Sequence, residues 1–247
     1  MVIDTAFDVR TDARGKDPDT YSTTLCLYHR CLWSKPLPGG TLTRFELVAP
    51  ATPPFYLHHR SDVGEFWLSS DSVIATFTSY HTLKPIVGQL TDAENEAFLA
   101  IAYTIGGFLL WPANKVDGKP TINGARGFLG NIADRLDLTV ECIRRHYRGE
   151  QSPLGAVLAR YNDFFAIFQD FRGYVDFWLL QDLIDDSYSA VKFFMPFDEF
   201  RPPAKPRDID TYQEYRRLSI EFVEARNRRI DSLETASVPG TWLSPVT

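Results

Sequence analysis

Tyr174 to Ile184, YVDFWLLQDLI, is apolar on every side when wound at the helical period. A segment of that kind has no face to give to water, so the rest of the chain has to surround it. The pattern predicts a central, buried helix that carries Asp176, Gln181 and Asp182 into an apolar setting. An ionised carboxylate left alone there is expensive, so each acid needs a partner or a function. Either Asp176 or Asp182 answers one of the arginines between 126 and 148, or Asp182 is an acid or base of raised pKa.

Those arginines belong to Thr121–Gly149, the stretch richest in chemically capable side chains. Asp137 reads as an N-cap, the run 138–148 has no Gly or Pro, and Gly149 supplies the stop. Winding puts Leu136, Val140, Ile143 and Tyr147 on a core-facing stripe, and Leu138, Thr139, Cys142 and His146 on a second face. Asp137, Glu141, Arg144, Arg145 and Arg148 form the seam between them. In one reading Glu141 pairs with Arg144 and Arg145 across one turn, worth a few tenths of a kcal/mol per exposed pair. In the other, Arg144 and Arg145 hold an anionic ligand, for which planar guanidinium is well suited. Asn123 and Arg126 in the preceding loop add an amide and a further guanidinium before a helix start, where anions are favoured. A hairpin through the polar turn at 112–120 would bring Asn114 and Lys115 beside them. Glu141 and His146 then join Asp182 as candidate acids or bases. No GxGxxG or GxxxxGK[ST] fingerprint is present.

Elsewhere the punctuation marks short elements. From Pro18 the spacing Tyr21, Leu25, Tyr28, Leu32 predicts one helix ending by Ser34. Strands are expected at 44–48, 55–58, 65–68 and 108–111, and Ser69–Ser72 reads as the cap of a short helix through Phe77. Thr91 and Glu94 form a capping box for a helix that runs to Gly106 and Gly107. Leu154 to Phe168 predicts one helix, 192–197 a strand, and Thr211 opens a last helix in which Arg226, Arg228 and Arg229 suit the negative C-terminal end. The fold class that follows is α+β. A small, mostly antiparallel sheet from the N-terminal half and residues 108–123 packs against a helical C-terminal half. Residues 1–234 are expected as one globular domain, with 235–247 a loosely ordered tail.

A net charge of −6 over 247 residues argues against broad nucleic-acid binding. Cys26, Cys31 and Cys142 include no CxxC pair, which suits a reducing cytoplasm and indicates neither a disulfide framework nor a zinc cluster. His58 and His59 are adjacent, so in a strand they point to opposite faces, and no metal site is expected. No apolar run is long enough to cross a membrane, and the N-terminus lacks a signal-peptide pattern. The cofactor is left open.

The blocks LWSKPLPGG (32–40), LSSDSVI (68–74), TINGARG (121–127), DRLDLTVECIRRHY (134–147) and FRGYVDFWLLQDL (171–183) together resemble a bacterial family of uncharacterised proteins, a domain of unknown function. The resemblance spans about residues 20–230 and implies a stand-alone cytoplasmic protein, with no activity to carry over. Two expectations stand. One is an enzyme, or a toxin or defence protein, acting on a nucleotide or other phosphorylated small molecule: Asn114, Asn123, Arg126, Arg144 and Arg145 bind it, and Asp182, Glu141 or His146 moves the proton. The other is a non-catalytic interaction or assembly protein, binding a protein partner or a second copy of itself, whose arginines form structural ion pairs.

Overall fold

The computed structural model describes residues 2–39, 43–50 and 56–233; the expected tail at 235–247 and the expected strand start at Phe55 lie outside the described residues. The fold is α+β, as the pattern predicts. Two short helices, α1 (Pro18–Tyr21) and α2 (Thr23–Trp33), stand where one was expected. Ser22 makes the break: its backbone is extended (ψ 111°) and its hydroxyl accepts the Leu25 N–H, which caps α2 and turns α1 toward the sheet.

A small hairpin pairs β1 (Lys35–Pro36) with β2 (Arg44–Phe45). The main sheet is an antiparallel meander of β3 (Leu57–Ser61), β4 (Gly64–Ser72) and β5 (Phe108–Pro112), in that order. Its register sets His58 opposite Trp67, and Ser72 opposite Phe108. The expected helix from Ser69 is corrected, because β4 pairs with β5 as far as Ser72 and that ladder wins over local capping. Alternation then buries Phe66, Leu68 and Ser70 on one face and leaves Trp67, Ser69 and Asp71 on the other.

Next come α3 (Lys84–Val87) and α4 (Asp92–Ala102), the latter opened by the Thr91–Glu94 capping box with both reciprocal bonds made. Residues 121–123, expected in the sheet, instead open α5 (Ile122–Phe128), because the Thr121 hydroxyl caps the Gly124 N–H. Helix α6 (Leu136–Tyr147) buries Leu136, Val140 and Ile143 as predicted. Its N-cap is Arg135 rather than Asp137, whose buried carboxylate takes the Arg135 guanidinium and the Phe194 N–H at 2.8 Å. That second bond draws residues 192–197 away from strand geometry; the nearby pairing is a single bridge, Ile184 to Val191. The helix expected over 154–168 divides into α7 (Gly155–Leu158), a 3-10 turn and α8 (Asn162–Ala166). Its break at Tyr161 (φ −119°, ψ 29°) lets Phe164 and Phe165 both turn inward.

The all-round apolar segment begins as helix α9 (Phe171–Trp178) but stops at Leu179, in the left-handed region (φ 57°, ψ 50°). A stop there leaves carbonyls at a buried helix end. Two cations take them: Lys35 Nζ donates to Phe177 O at 2.6 Å, and Arg226 from α10 (Ile209–Asp231) donates twice to Trp178 O, at 3.0 and 3.2 Å. Arg226 is 0% exposed and also donates to Gly106 O and Phe108 O, both at 2.8 Å. Gly106 permits the approach, since a Cβ there would sit 2.5 Å from Asn227 Oδ1. Around this point Trp33, Phe45, Phe168, Tyr174, Phe177 and Trp178 pack ring against ring; Trp33 and Trp178 lie 5.0 Å apart.

The acids of the segment find other partners than those expected. Asp182 pairs with Arg229 at 2.9 Å, and Asp176 accepts Tyr188 Oη at 2.6 Å and Gln181 Nε2 at 2.9 Å. Neither meets an arginine of 126–148, because the chain leaves α9 toward α10 instead of continuing as helix.

Candidate functional site

The end of β4 gathers polar groups on both faces of the sheet. On the Ser70 face, Trp33 Nε1 donates to His29 Nδ1 at 2.9 Å, and His29 Nε2 lies 3.1 Å from Ser70 Oγ. Because Nδ1 accepts, the proton sits on Nε2, and His29 donates to Ser70. Burial, with Arg226 nearby, pushes the His29 pKa down to about 3, so the ring is neutral and cannot serve Ser70 as a base. Ser70 turns its hydroxyl to the Asp19 carboxylate, and the Ser72 N–H donates to Asp19 Oδ2 at 3.3 Å. The other oxygen, Oδ1, is buried and has no hydrogen-bond partner among the described residues. Burial, helped by Asp17, raises the Asp19 carboxyl to about 6.

On the opposite face Asp71 takes Arg126 Nη1 in a short bond, with the Asn123 side chain as a second donor. Arg126 is fully buried. Its Nε donates to Thr139 Oγ1 at 3.3 Å, its Nη2 to Asp134 O at 2.7 Å, and its Nη1 lies 3.3 Å from Asp134 Oδ1. The guanidinium also lies 4.8 Å from the Trp111 ring centroid. Burial, with Asp19 and Asp134 close by, pushes Asp71 upward against the pull of Arg126. Tyr80 and Tyr103 stand at the edge: burial raises both phenols, assisted by Asp134 at Tyr80 and by Asp19 at Tyr103. Lys205 caps the Tyr80 ring at 3.7 Å, and Arg10 the Tyr103 ring at 5.5 Å.

Asp71 and Asp134 therefore share one buried guanidinium, whose charge reaches Asp19 only at longer range. Desolvation and repulsion between the acids both work against ionisation of Asp19 and Asp71, whose carboxyls are pushed upward.

Of the residues that sequence pointed to, Asn123 and Arg126 lie together at Asp71. Arg144 and Arg145 form a separate network. Glu141 receives Arg144 at 2.7 and 2.8 Å and Arg145 at 2.7 Å, while Arg145 also reaches Glu199 at 2.7 Å and packs over Phe200. Burial opposes it, yet the two guanidiniums hold the Glu141 carboxyl below its usual range, which suits an ion-pair anchor better than a base. His146 packs against Phe165 at 5.1 Å, and burial lowers its pKa. Asn114 offers its backbone carbonyl to Tyr161 Oη at 2.9 Å, and Asp182 is held by Arg229. Asp19, Ser70, Asp71 and His29 were missed. A strand reading of Leu68–Ser72 would have placed Asp71 opposite the buried Leu68 and Ser70, but partners 13 to 55 residues away leave no local trace.

A family of unknown function, DUF6994, matches residues 3–230, and the chain belongs to that family. No curated protein and no solved structure matches it. Among the described residues no helix is long and apolar enough to cross a membrane, and no three His, Cys, Asp or Glu side chains converge as a metal site.

Proposed function

We propose that this protein is an enzyme whose acid–base chemistry is carried by Asp19 and Asp71, with Arg126 and Asn123 fixing the Asp71 carboxylate. The observation that supports this most is Asp19 of α1: a carboxyl raised to about 6, with one buried oxygen unpartnered among the described residues, bonded to the Ser72 N–H next to Asp71, whose carboxylate is locked by a guanidinium. Two carboxyl groups whose environments differ in this way divide the roles of proton donor and charged partner. Two acids at one buried cation, with the Asp19 carboxyl close to one of them, favour an uncharged, hydroxyl-rich small molecule. The matching reaction is hydrolysis in which Asp19 protonates the departing oxygen, as paired carboxylates do in glycoside cleavage.

A nucleotide or other phosphorylated ligand is the second reading, favoured by the convergence of Asn123 and Arg126; its phosphate would have to displace Asp134. The pairing of Arg144 and Arg145 with Glu141 instead favours a non-catalytic protein, with a protein partner or a second copy of the chain in place of a substrate. The enzyme reading sets the protein in a bacterial cytoplasm, where the free thiols of Cys26, Cys31 and Cys142 stay reduced.

Thermal unfolding against neutral sugars and nucleosides, then against nucleotides and sugar phosphates, separates these readings. A ligand at a hundred times its Kd stabilises the fold by about 2.7 kcal/mol. A neutral ligand is expected to shift the wild type, and Asp19→Asn is expected to lower turnover of that ligand by about 10²–10⁴-fold while still binding it. A shift by phosphorylated ligands alone overturns the neutral-substrate form. No shift by any class, with a folded Asp19→Asn variant, moves the search to protein partners.

A further inference from the structure

Lys35 lies outside the carboxylate site and is held in an unusual way for a lysine. It opens β1, one residue beyond the end of α2, and its side chain runs inward between two rings: Nζ stands 4.9 Å from the centroid of Trp33 and 4.6 Å from that of Phe177. Its one hydrogen bond donates to Phe177 O at 2.6 Å, and among the described residues no carboxylate stands within ion-pair distance. The charge nearest in influence is another cation, Arg226 of α10, while Asp176 of α9 acts from the opposite sense.

This is the arrangement that makes an amine nucleophilic: apolar walls that strip water from the ammonium, and a neighbouring cation that repels its proton. The ring faces favour the charged form. Burial first, then Arg226, brings the pKa down to about 7. Lys35 nonetheless keeps part of its surface open, whereas Arg226 behind it is sealed. Asp176, whose charge reaches the amine, itself accepts Tyr188 Oη at 2.6 Å.

We propose that Lys35 is an imine-forming amine, a site at which a small aldehyde or ketone condenses with Nζ between the Trp33 and Phe177 rings. The Nζ lone pair adds to the carbonyl carbon, a proton passes from nitrogen to oxygen, and loss of water leaves the imine. Carbonyl compounds suit the site because the new bond needs no charge to be accommodated between Trp33 and Phe177.

The test is reductive trapping of the full chain with acetaldehyde and sodium cyanoborohydride at pH 7, followed by peptide mapping. The imine takes a proton from water and hydride from the cyanoborohydride, and is fixed as an ethylamine. Lys35 is expected to be alkylated at least about tenfold faster than the exposed Lys119, since free amine at pH 7 scales with the fall in pKa. That advantage shrinks toward about pH 10, where exposed lysines also lose their protons, a trend that simple accessibility would not produce. The product disappears from the Lys35 peptide in Lys35→Arg, which retains a donor for Phe177 O. Alkylation of Lys35 at or below the rate of Lys119 in folded wild-type protein, or a rate ratio independent of pH, overturns the proposal.

Discussion

Replacing Arg226 by methionine is expected to destabilise the fold by about 4 kcal/mol. The side chain is fully buried and makes four hydrogen bonds to the carbonyls of Gly106, Phe108 and Trp178. Methionine fills nearly the same length but donates nothing, so three buried carbonyls lose their partner at about 1–3 kcal/mol each. Part of that loss is offset, because the guanidinium has no carboxylate at its side and burial already pulls its pKa down to about 9. The same position reads in sequence as an ordinary cation near a helix C-terminus. Removing an exposed one would cost only about 0.3–1 kcal/mol. Urea unfolding separates the two: a large fall in midpoint with an unchanged slope marks the buried clamp, whereas a fall within the smaller range would return Arg226 to the surface role. Arg226→Lys should lie between, since one ammonium cannot reach carbonyls at both the 106–108 turn and the end of α9.

The second large effect is at Arg126. Arg126→Met leaves the largely enclosed Asp71 without its cation and is expected to cost about 3 kcal/mol at neutral pH. The cause is the stranded carboxylate more than a lost attraction. Adding Asp71→Asn should therefore recover a large part of the stability, giving a coupling of at least about 2 kcal/mol in a double-mutant cycle. Acidification should rescue the single variant in the same way, by protonating Asp71. Additive effects of the two substitutions in urea titrations would show that the pair is not coupled and that the residues act separately.

Elements written in neighbouring residues were legible. The Thr91–Glu94 box closes through bonds three residues apart, and the 136–143 stripe is buried because helical spacing alone decides which side it faces. What was hidden depends on distant partners. Nothing in YVDFWLLQDLI announces that Leu179 adopts a left-handed conformation; the stop is held by Lys35 and Arg226, 142 and 48 residues from the carbonyls they take. Ser69–Ser72 has the composition of a helix cap, and only pairing with β5 makes it a strand that presents Ser70 and Asp71 to opposite faces. The arginine-rich seam was visible, as was its pairing with Glu141, but not the burial of Arg126 against Asp71, since ion-pair choice across the fold leaves no periodic signal.

The acid pair itself is tested by following unfolding free energy against pH for the wild type and Asp19→Asn. In the folded chain the Asp19 carboxyl sits at about 6, above the roughly 3.9 of an unfolded aspartate. Between those values the native state binds more protons than the unfolded state, so the wild type loses stability as pH rises. Below that window both states are protonated and the two proteins should run parallel. Above it the wild type should stand about 2–3 kcal/mol lower relative to the variant than it did in acid. A difference that falls between about pH 4 and 6.5 is the predicted result. A difference that stays flat, or rises with pH as for a carboxylate stabilised by its surroundings, would contradict a protonated Asp19 and with it the enzyme proposed from this site.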